Sequence, residues 1–232
     1  MTAIDQIHAK VKQNRWLWLF TIFCRFVLAI GFIPAGITKI IGERFASGLS
    51  VNHPMGQYLE ALHGTGYYYT FIGVIQVIAG ILLIIPRTVL LGALLYLPII
   101  LNICILSFAV RFDGSFVTAP LMVLANLYIL FWHYDRLKFI LPFKKVSTLT
   151  ILEKPEKYST RFPLLFALGV IAAIGVSILF FVYGYKVMPR NSFSECQKQF
   201  QNTQNEAAGI KFCECIHTEG NNLNVCLDEF EK

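Results

Sequence analysis

Five charged or amide side chains lie within the apolar stretches of this sequence, and they are the residues whose chemistry first needs an explanation. They are Arg25, Lys39, Gln76, Asn102 and Asn126. A charged side chain deep in a bilayer costs about 2.5 to 3.5 kcal/mol, so it is expected to face a protein interior or water. These residues therefore predict a polar intramembrane pocket. In the alternative interpretation, Arg25 and Lys39 simply extend to the two headgroup layers.

The first apolar stretch carries both charges on one side. At about 100° per residue, Arg25, Phe32, Gly36 and Lys39 fall within about 60° of one another on a helix. Gly36 on this stripe favours close approach of a second helix. No acidic residue lies in any of the apolar stretches, so the sequence offers no carboxylate for a buried ion pair or a proton relay. This argues against proton-coupled transport.

The apolar stretches are long enough to cross a membrane. Of the 232 residues, 56% are hydrophobic and 15% are charged, and the mean hydropathy is +0.58. Stretches of roughly 20 residues span a bilayer core of about 30 Å as helices. Their continuous apolarity, without a period of two, is not that of a β-barrel. The predicted membrane helices are 16–42, 67–85, 88–110, 116–132 and 163–185.

The remaining segments complete an all-α membrane protein. We expect a lead-in over 1–15, a four-helix bundle over 16–134, a basic loop over 135–162, a fifth membrane helix over 163–185 and a small domain over 186–232. Within the connection between the first two membrane helices, the sequence MGQYLEALHG after Pro54 predicts a short interfacial helix. Gly169 and Ala173 in the fifth helix have the spacing of a packing edge.

The distribution of positive residues predicts the orientation. Eleven of the 20 Lys and Arg residues fall on the N-terminal side of the membrane, and two fall in the loops on the opposite side. Because cytoplasmic loops are enriched in Lys and Arg, we expect a cytoplasmic N-terminus and, after five crossings, an extracytoplasmic C-terminal domain in the inner membrane. The net charge of +6 is then a topology signal, and nucleic acid is not an expected partner.

Four of the six cysteines lie in the C-terminal domain: Cys196, Cys213, Cys215 and Cys226. A domain of about 40 residues rarely folds without additional cross-links, and disulfides persist outside the cytoplasm. If 210–218 is helical, Cys213 and Cys215 point about 200° apart, so one pairs with Cys196 and the other with Cys226. Which goes with which stays open. A four-cysteine zinc site is the alternative, but C-x-C spacing is atypical of one. Gly209 and Gly220 are predicted to interrupt the helices.

Motifs for familiar cofactors are absent from the sequence. It contains no C-x-x-C, no Walker motif, no GxGxxG and no HExxH. His133 is expected to be an interfacial residue and not a haem ligand, and Cys24 and Cys104 are expected to be packing residues. The sequence predicts neither haem, flavin nor zinc.

The membrane bundle contains two longer motifs. The first helix reads RFVLAIGFIPAGITKIIG, and the segment joining the second and third reads IGVIQVIAGILLIIPRTVLLGALL. These motifs resemble those of the DoxX family of four-helix membrane proteins. The resemblance covers about residues 15–133. Gln76 stands where the family often has an acidic residue, and the fifth helix and the cysteine domain lie outside the family pattern.

The resemblance implies a function only in outline. Some DoxX members are membrane subunits of quinone-linked oxidoreductases, so one hypothesis is a redox-linked subunit in which Arg25, Gln76 and Asn102 hydrogen-bond a quinone. The alternative is a non-catalytic scaffold whose C-terminal domain recruits a membrane or extracytoplasmic protein. A small-molecule transporter ranks third. The sequence does not decide whether the chain is an enzyme.

Overall fold

The computed structural model describes residues 3–140, 155 and 157–231. In this part of the chain the backbone forms twelve helices and no β-strand, so the predicted all-α class is confirmed. The helices are α1 Ala3–Lys12, α2 Arg15–Ile40, α3 Pro54–His63, α4 Tyr67–Ile84, α5 Val89–Ala109, α6 Asp113–Phe116, α7 Thr118–Trp132, α8 Tyr134–Leu137, α9 Leu164–Tyr183, α10 Phe193–Lys198, α11 Glu206–His217 and α12 Leu223–Phe230.

Five helices in the described chain are long and apolar enough to cross a membrane. They are α2, α4, α5, α7 together with the short α6, and α9. Their bounds agree with the predicted stretches to within a few residues, because the length of an apolar run is set directly by bilayer thickness. The predicted interfacial helix is α3, which begins at Pro54 and is capped by His53. Proline suits this first helical position because its missing N–H would have no partner there.

The chain divides into two compact units, and all five membrane-crossing segments contribute residues to both. The first unit comprises the described residues of Met1–Pro34, Ile75–Ile100 and Leu121–Gly175. The second comprises Ala35–Val74, Leu101–Pro120 and the described residues of Val176–Lys232.

Stacked aromatic rings lie in the mainly aliphatic core of the first unit. The rings of Phe32 and Tyr96 stack with their centroids 3.5 Å apart, and the Tyr96 hydroxyl donates to the carbonyl of Leu28 at 3.3 Å. Helix α1 packs here through buried His8, whose Nε2 lies 3.1 Å from the Trp132 carbonyl oxygen. Lys12 adds an ion pair of 2.8 Å with Asp135, which is almost fully buried. The predicted lead-in is therefore a docked helix.

Residues 158–161 run beside the short turn that connects α1 to α2. The N–H of Arg15 donates to the carbonyl of Ser159 at 3.0 Å, and the N–H of Ser159 donates to the carbonyl of Gln13 at 2.8 Å. Trp16 donates through Nε1 to the Thr160 carbonyl at 3.0 Å. The predicted basic loop is otherwise described only at its two ends, because residues 141–154 and 156, with Lys144, Lys145 and Lys154, lie outside the described residues.

The cysteine domain, residues 187–231, belongs to the second unit and has its own core. Phe200, Phe212, Ile216 and Leu223 are buried together with the four cysteines. The bridges join Cys196 to Cys213 and Cys215 to Cys226. Each neighbouring cysteine of α11 thus bonds to a different helix, as the C-x-C spacing predicts.

The two glycines of the cysteine domain differ in role. Gly220 has a φ of +69° and separates α11 from α12, as predicted. The prediction that Gly209 interrupts a helix is wrong, because Gly209 lies inside α11 and is buried. A Cβ at this position would lie 2.1 Å from Cγ of Phe200. Glycine is present at position 209 because the Phe200 ring occupies the space of a side chain.

Helix α9 is the most peripheral of the membrane helices. None of its residues is buried, and a Cβ at Gly169 would have no neighbour within 4 Å in the described structure. Gly169 is therefore open in the described structure, whereas Ala173 of the predicted packing edge is partly buried.

Candidate functional site

Arg25 binds the end of another helix. Its Nε donates to the Leu83 carbonyl at 2.8 Å, and a terminal guanidinium nitrogen donates to the Ile84 carbonyl at 2.5 Å. Both carbonyls lie in the last turn of α4, where backbone oxygens have no partner within their own helix. The negative end of the helix dipole further favours a cation here.

Pro86 explains why this helix end needs side-chain donors. Proline has no N–H, so it cannot donate to the Leu82 carbonyl four residues earlier. The Thr88 hydroxyl donates to this oxygen instead, at 3.0 Å. Arg25 and Thr88 together satisfy the last three carbonyls of α4, and the Arg25 guanidinium is thereby committed to a structural contact.

Lys39 is enclosed by the chain as well. Its side chain is buried, and Nζ donates to the Ala35 carbonyl at 3.0 Å. The ammonium lies 4.4 Å from the Phe45 ring centroid and 5.8 Å from that of Tyr69. Aromatic faces attract cations, so this arrangement stabilises the charge away from water. The Tyr69 hydroxyl fixes its own ring by accepting from the Phe45 N–H and donating to the Glu43 carbonyl.

The three uncharged residues of the predicted pocket have different surroundings. Asn126 is buried in the first unit and donates through Nδ2 to the Ala93 carbonyl at 3.0 Å. Gln76 is also buried in that unit. The Oε1 of Gln76 and the Oδ1 of Asn126 have no hydrogen-bond partner among the described residues. Asn102 belongs to the second unit and is exposed.

The predicted pocket is thus spread over two groups of residues. Arg25, Gln76 and Asn126 belong to the first unit, and Lys39 and Asn102 to the second. Along α4, Gln76 precedes the Arg25-bound Leu83 carbonyl by seven residues, or about 10 Å of helix. The pocket stays a prediction, and within the first unit Gln76 and Asn126 are its members with unused acceptors.

The remaining candidates from the sequence occupy packed positions. Cys24 and Cys104 are buried free thiols, as their assignment to packing requires. His133 directly follows α7 and is only partly exposed. Burial, reinforced by nearby cations, lowers the pKa of His133 to about 4.

A second polar site lies in the second unit, between the loop that leads into α3 and the cysteine domain. The Asn52 side-chain amide donates to the carbonyls of His217 at 2.9 Å and Thr218 at 3.2 Å. Gln57 donates to the Gly220 carbonyl at 2.6 Å. We call this contact the junction, formed by Asn52, His53 and Gln57 on the loop side and by Arg190, His217 and Gly220 on the domain side.

His53 lies at the centre of the junction. It is fully buried, and its Nδ1 accepts from the Met55 N–H at 3.0 Å. Its ring centroid lies 5.8 Å from that of Phe112 and 6.0 Å from that of His217. Burial, with a smaller contribution from His217, lowers the pKa of His53 to about 4. The ring is therefore neutral at pH 7 and carries its proton on Nε2.

Two arginines form contacts at the start of the cysteine domain. Arg111 donates to the Val187 carbonyl at 2.7 Å and lies 4.2 Å from the Tyr185 ring centroid. Arg190 pairs with Asp113 at 3.3 Å. Both arginines have left-handed backbones, with φ of +50° and +55°. Such conformations cost about 1 to 3 kcal/mol and persist only where surrounding contacts hold them.

Sequence reasoning did not identify the junction. No role in such a contact was predicted for Arg111 or His53. The available signal was His53-Pro54 ahead of an amphipathic stretch, because this pattern marks a helix start and so gives His53 a capping role. Asn52, Gln57 and His217 carry no comparable signal, since their partners are backbone carbonyls distant in the sequence.

Fold and sites together define the class: this chain is a multi-pass α-helical membrane protein with a disulfide-bridged helical domain. It is 31% identical to the uncharacterized protein YwoB of Bacillus subtilis (strain 168) over 128 residues, which cover 50% of this chain and 77% of the relative. The chain belongs to the same family as YwoB. No family model matches the chain, and no solved structure matches it.

Proposed function

We propose that this protein is a membrane scaffold whose cysteine domain recruits a partner protein. The observation that carries the proposal is the junction, through which the chain holds a separately cored, disulfide-bridged domain by side-chain bonds to its backbone. A domain held in this way presents its remaining surface in a defined orientation. On α12, Val225, Asp228 and Glu229 are exposed.

The contacts of the two membrane cations support the scaffold. Arg25 is bonded to carbonyls of α4, and Lys39 is bonded to Ala35 within an aromatic enclosure. Both charges therefore have partners within the chain, and their presence is accounted for without a ligand. The DoxX resemblance is compatible with this role, because a shared fold does not fix a shared activity.

In this proposal the protein lies in the inner membrane with a cytoplasmic N-terminus and an extracytoplasmic cysteine domain. The excess of positive residues on the N-terminal side supports the orientation. Paired cysteines in the cysteine domain support it independently, because disulfides persist in oxidising compartments. The two cysteines inside membrane helices are free.

The scaffold is tested by affinity purification of the tagged full-length chain from native membranes in a mild detergent, with mass spectrometry of the bound proteins. The test variant carries Cys215→Ala and Cys226→Ala, which removes one bridge of the domain. The control carries Cys24→Ala and Cys104→Ala, which removes two cysteines but no bridge. We expect recovery of specific partners to fall at least about tenfold in the test variant alone, a loss of about 1.4 kcal/mol. Equal recovery from both variants contradicts the scaffold.

A redox-linked, quinone-associated subunit is the second candidate. It is favoured by one observation, the buried Gln76 Oε1 with no partner in the described structure. This oxygen accepts hydrogen bonds, so it suits the hydroxyls of a quinol better than the carbonyls of a quinone. Purified protein in nanodiscs can be titrated with a fluorescent quinol analogue. Gln76→Leu is expected to abolish binding under this hypothesis, whereas Ile78→Ala, at an exposed position of the same helix, serves as the control. Unchanged binding of the quinol analogue by Gln76→Leu would contradict the quinone-associated function.

A further inference from the structure

The contacts that close the junction are of two chemical kinds. Asn52 and Gln57 contribute neutral amide-to-carbonyl bonds that do not change with pH. His53, by contrast, is an ionisable group enclosed within the same contact, with no exposed surface. Proton uptake therefore acts on the junction through His53, whereas the amide groups of Asn52 and Gln57 do not titrate.

Neutral His53 performs a specific task. Its Nδ1 accepts the hydrogen bond of the Met55 N–H and so caps the first turn of α3. A protonated imidazole has no free acceptor nitrogen, so this bond is lost and two N–H groups face each other. The Nε2 position lacks a hydrogen bond of ordinary geometry in the described structure, although the Arg190 backbone is near enough to raise the pKa slightly.

In the described structure neither ring nitrogen of His53 bonds to a carboxylate, since Nδ1 accepts from Met55 and Nε2 has no hydrogen-bond partner. On the cysteine domain side, His217 faces the ring and bonds through Nε2 to the Pro189 carbonyl. Arg190 pairs with Asp113, the carboxylate that follows the packed Phe112. Asp113 is not among the groups that shift the His53 pKa.

One further cation lies on the segment that packs against His53. Arg111, next to Phe112, is bonded to the Val187 carbonyl and lies over the Tyr185 ring. A charge on His53 would thus be buried beside a second imidazole, with cations on both flanking segments.

We propose that the junction is a proton-sensitive latch, closed while His53 is neutral and opened when the ring is protonated. Opening breaks the bonds from the Asn52 and Gln57 side chains to the backbone carbonyls of residues 217–220. The start of α3 is then free of the cysteine domain. Because burial lowers the pKa of His53 from 6.5 to about 4, the closed form binds fewer protons than the open form. The latch is therefore closed at neutral pH and weakens progressively as the pH falls from about 6.5 to about 4.

Hydrogen exchange of the full-length protein in detergent, measured at pH 7 and pH 4.5 and corrected for the intrinsic pH dependence of exchange, tests the latch. In the wild type we expect protection of residues 55–57 and 217–221 to fall at least about tenfold at the lower pH. His53→Asn retains a capping acceptor in place of Nδ1 but cannot be protonated in this range. It is expected to keep its protection.

The matched control is His63→Asn, because His63 lies at the other end of α3 and bonds to the Gly42 carbonyl. This variant should open like the wild type. Loss of protection in His53→Asn equal to that in the wild type overturns the latch, as does a wild type that keeps its protection at pH 4.5.

A second measurement covers the case in which His53→Asn fails to fold. In protein carrying isotopically labelled histidine, the ring resonances of His53 report its protonation directly. The latch requires protonation of His53 well below its ordinary pKa and at the same pH at which residues 217–221 lose protection. Protonation near pH 6.5 without any change in protection overturns the proposal.

Discussion

At the scale of single residues, Pro86 removes a donor from the end of α4 and two side chains replace it. Thr88 donates to the Leu82 carbonyl, and Arg25 donates to those of Leu83 and Ile84. In a bilayer no water is available for these oxygens, so the replacement is required wherever the helix end lies below the headgroups. The charged side chain of Arg25, in membrane helix α2, is therefore a cap for the end of α4.

Replacement of Arg25 by Ala is expected to lower the stability of the protein. Two carbonyls lose their donors, one of them on the fully buried Leu83, at a cost of about 1 to 3 kcal/mol for each unsatisfied group. Thermal unfolding in a mild detergent measures the effect. The control is Arg87→Ala, because Arg87 is exposed; equal melting temperatures for the two variants would contradict the capping role.

At the scale of helices, glycines determine how closely α2 and α4 approach. In the second unit, a Cβ at Gly73 would lie 2.6 Å from the Gly36 carbonyl oxygen and 2.8 Å from Cβ of Lys39. In the first unit, a Cβ at Gly80 would lie 2.6 Å from Cγ1 of Ile33. Gly36 on α2 was predicted from the sequence to permit a close approach, and the structure adds these two positions on α4.

Gly73→Ala is therefore expected to destabilise the protein by about 1 to 3 kcal/mol, because the added methyl meets backbone that cannot move aside. Gly169→Ala on α9 is the matched control, since its Cβ would meet nothing within 4 Å in the described structure. Comparison of the two melting temperatures tests the close approach, and a Gly73→Ala variant as stable as Gly169→Ala would refute it.

The cysteine domain depends on its disulfide bridges because its core is small. Replacing Cys196 and Cys213 by Ala should destabilise the domain by about 2 to 5 kcal/mol. Resistance to trypsin at exposed Lys198 and Lys211 reports the loss. As a control, Cys24→Ala removes a free thiol elsewhere in the chain and should leave the cleavage rate unchanged. The bridge assignment fails if all four domain cysteines react with a thiol reagent without reduction.

At the scale of the whole molecule, the five membrane-crossing segments and their charges predict a single orientation. Lys10 and Asn224 are both exposed, and the proposed topology assigns them to opposite sides of the membrane. Single cysteines can be introduced as Lys10→Cys and Asn224→Cys in a chain that lacks Cys24 and Cys104.

An impermeant maleimide applied to intact cells should label the second position only, and the first should react only after permeabilisation. An odd number of membrane crossings requires the two sites to lie on opposite sides of the membrane. Labelling of both from outside would contradict five crossings, and labelling of Lys10→Cys alone would invert the orientation.

The five helices follow from the sequence alone, because bilayer thickness sets the length of each apolar run and this property is local. That Cys213 and Cys215 bond to different partners also follows from the sequence, since helix geometry separates neighbours two residues apart. The three-dimensional fold was needed to establish that Cys196 pairs with Cys213 and that Arg25 binds the end of α4. It was also needed to establish that Gly209 accommodates Phe200 and that Asn102 is exposed. Each of these outcomes depends on which faces of distant segments meet, and that information is not contained in the spacing of residues along one helix.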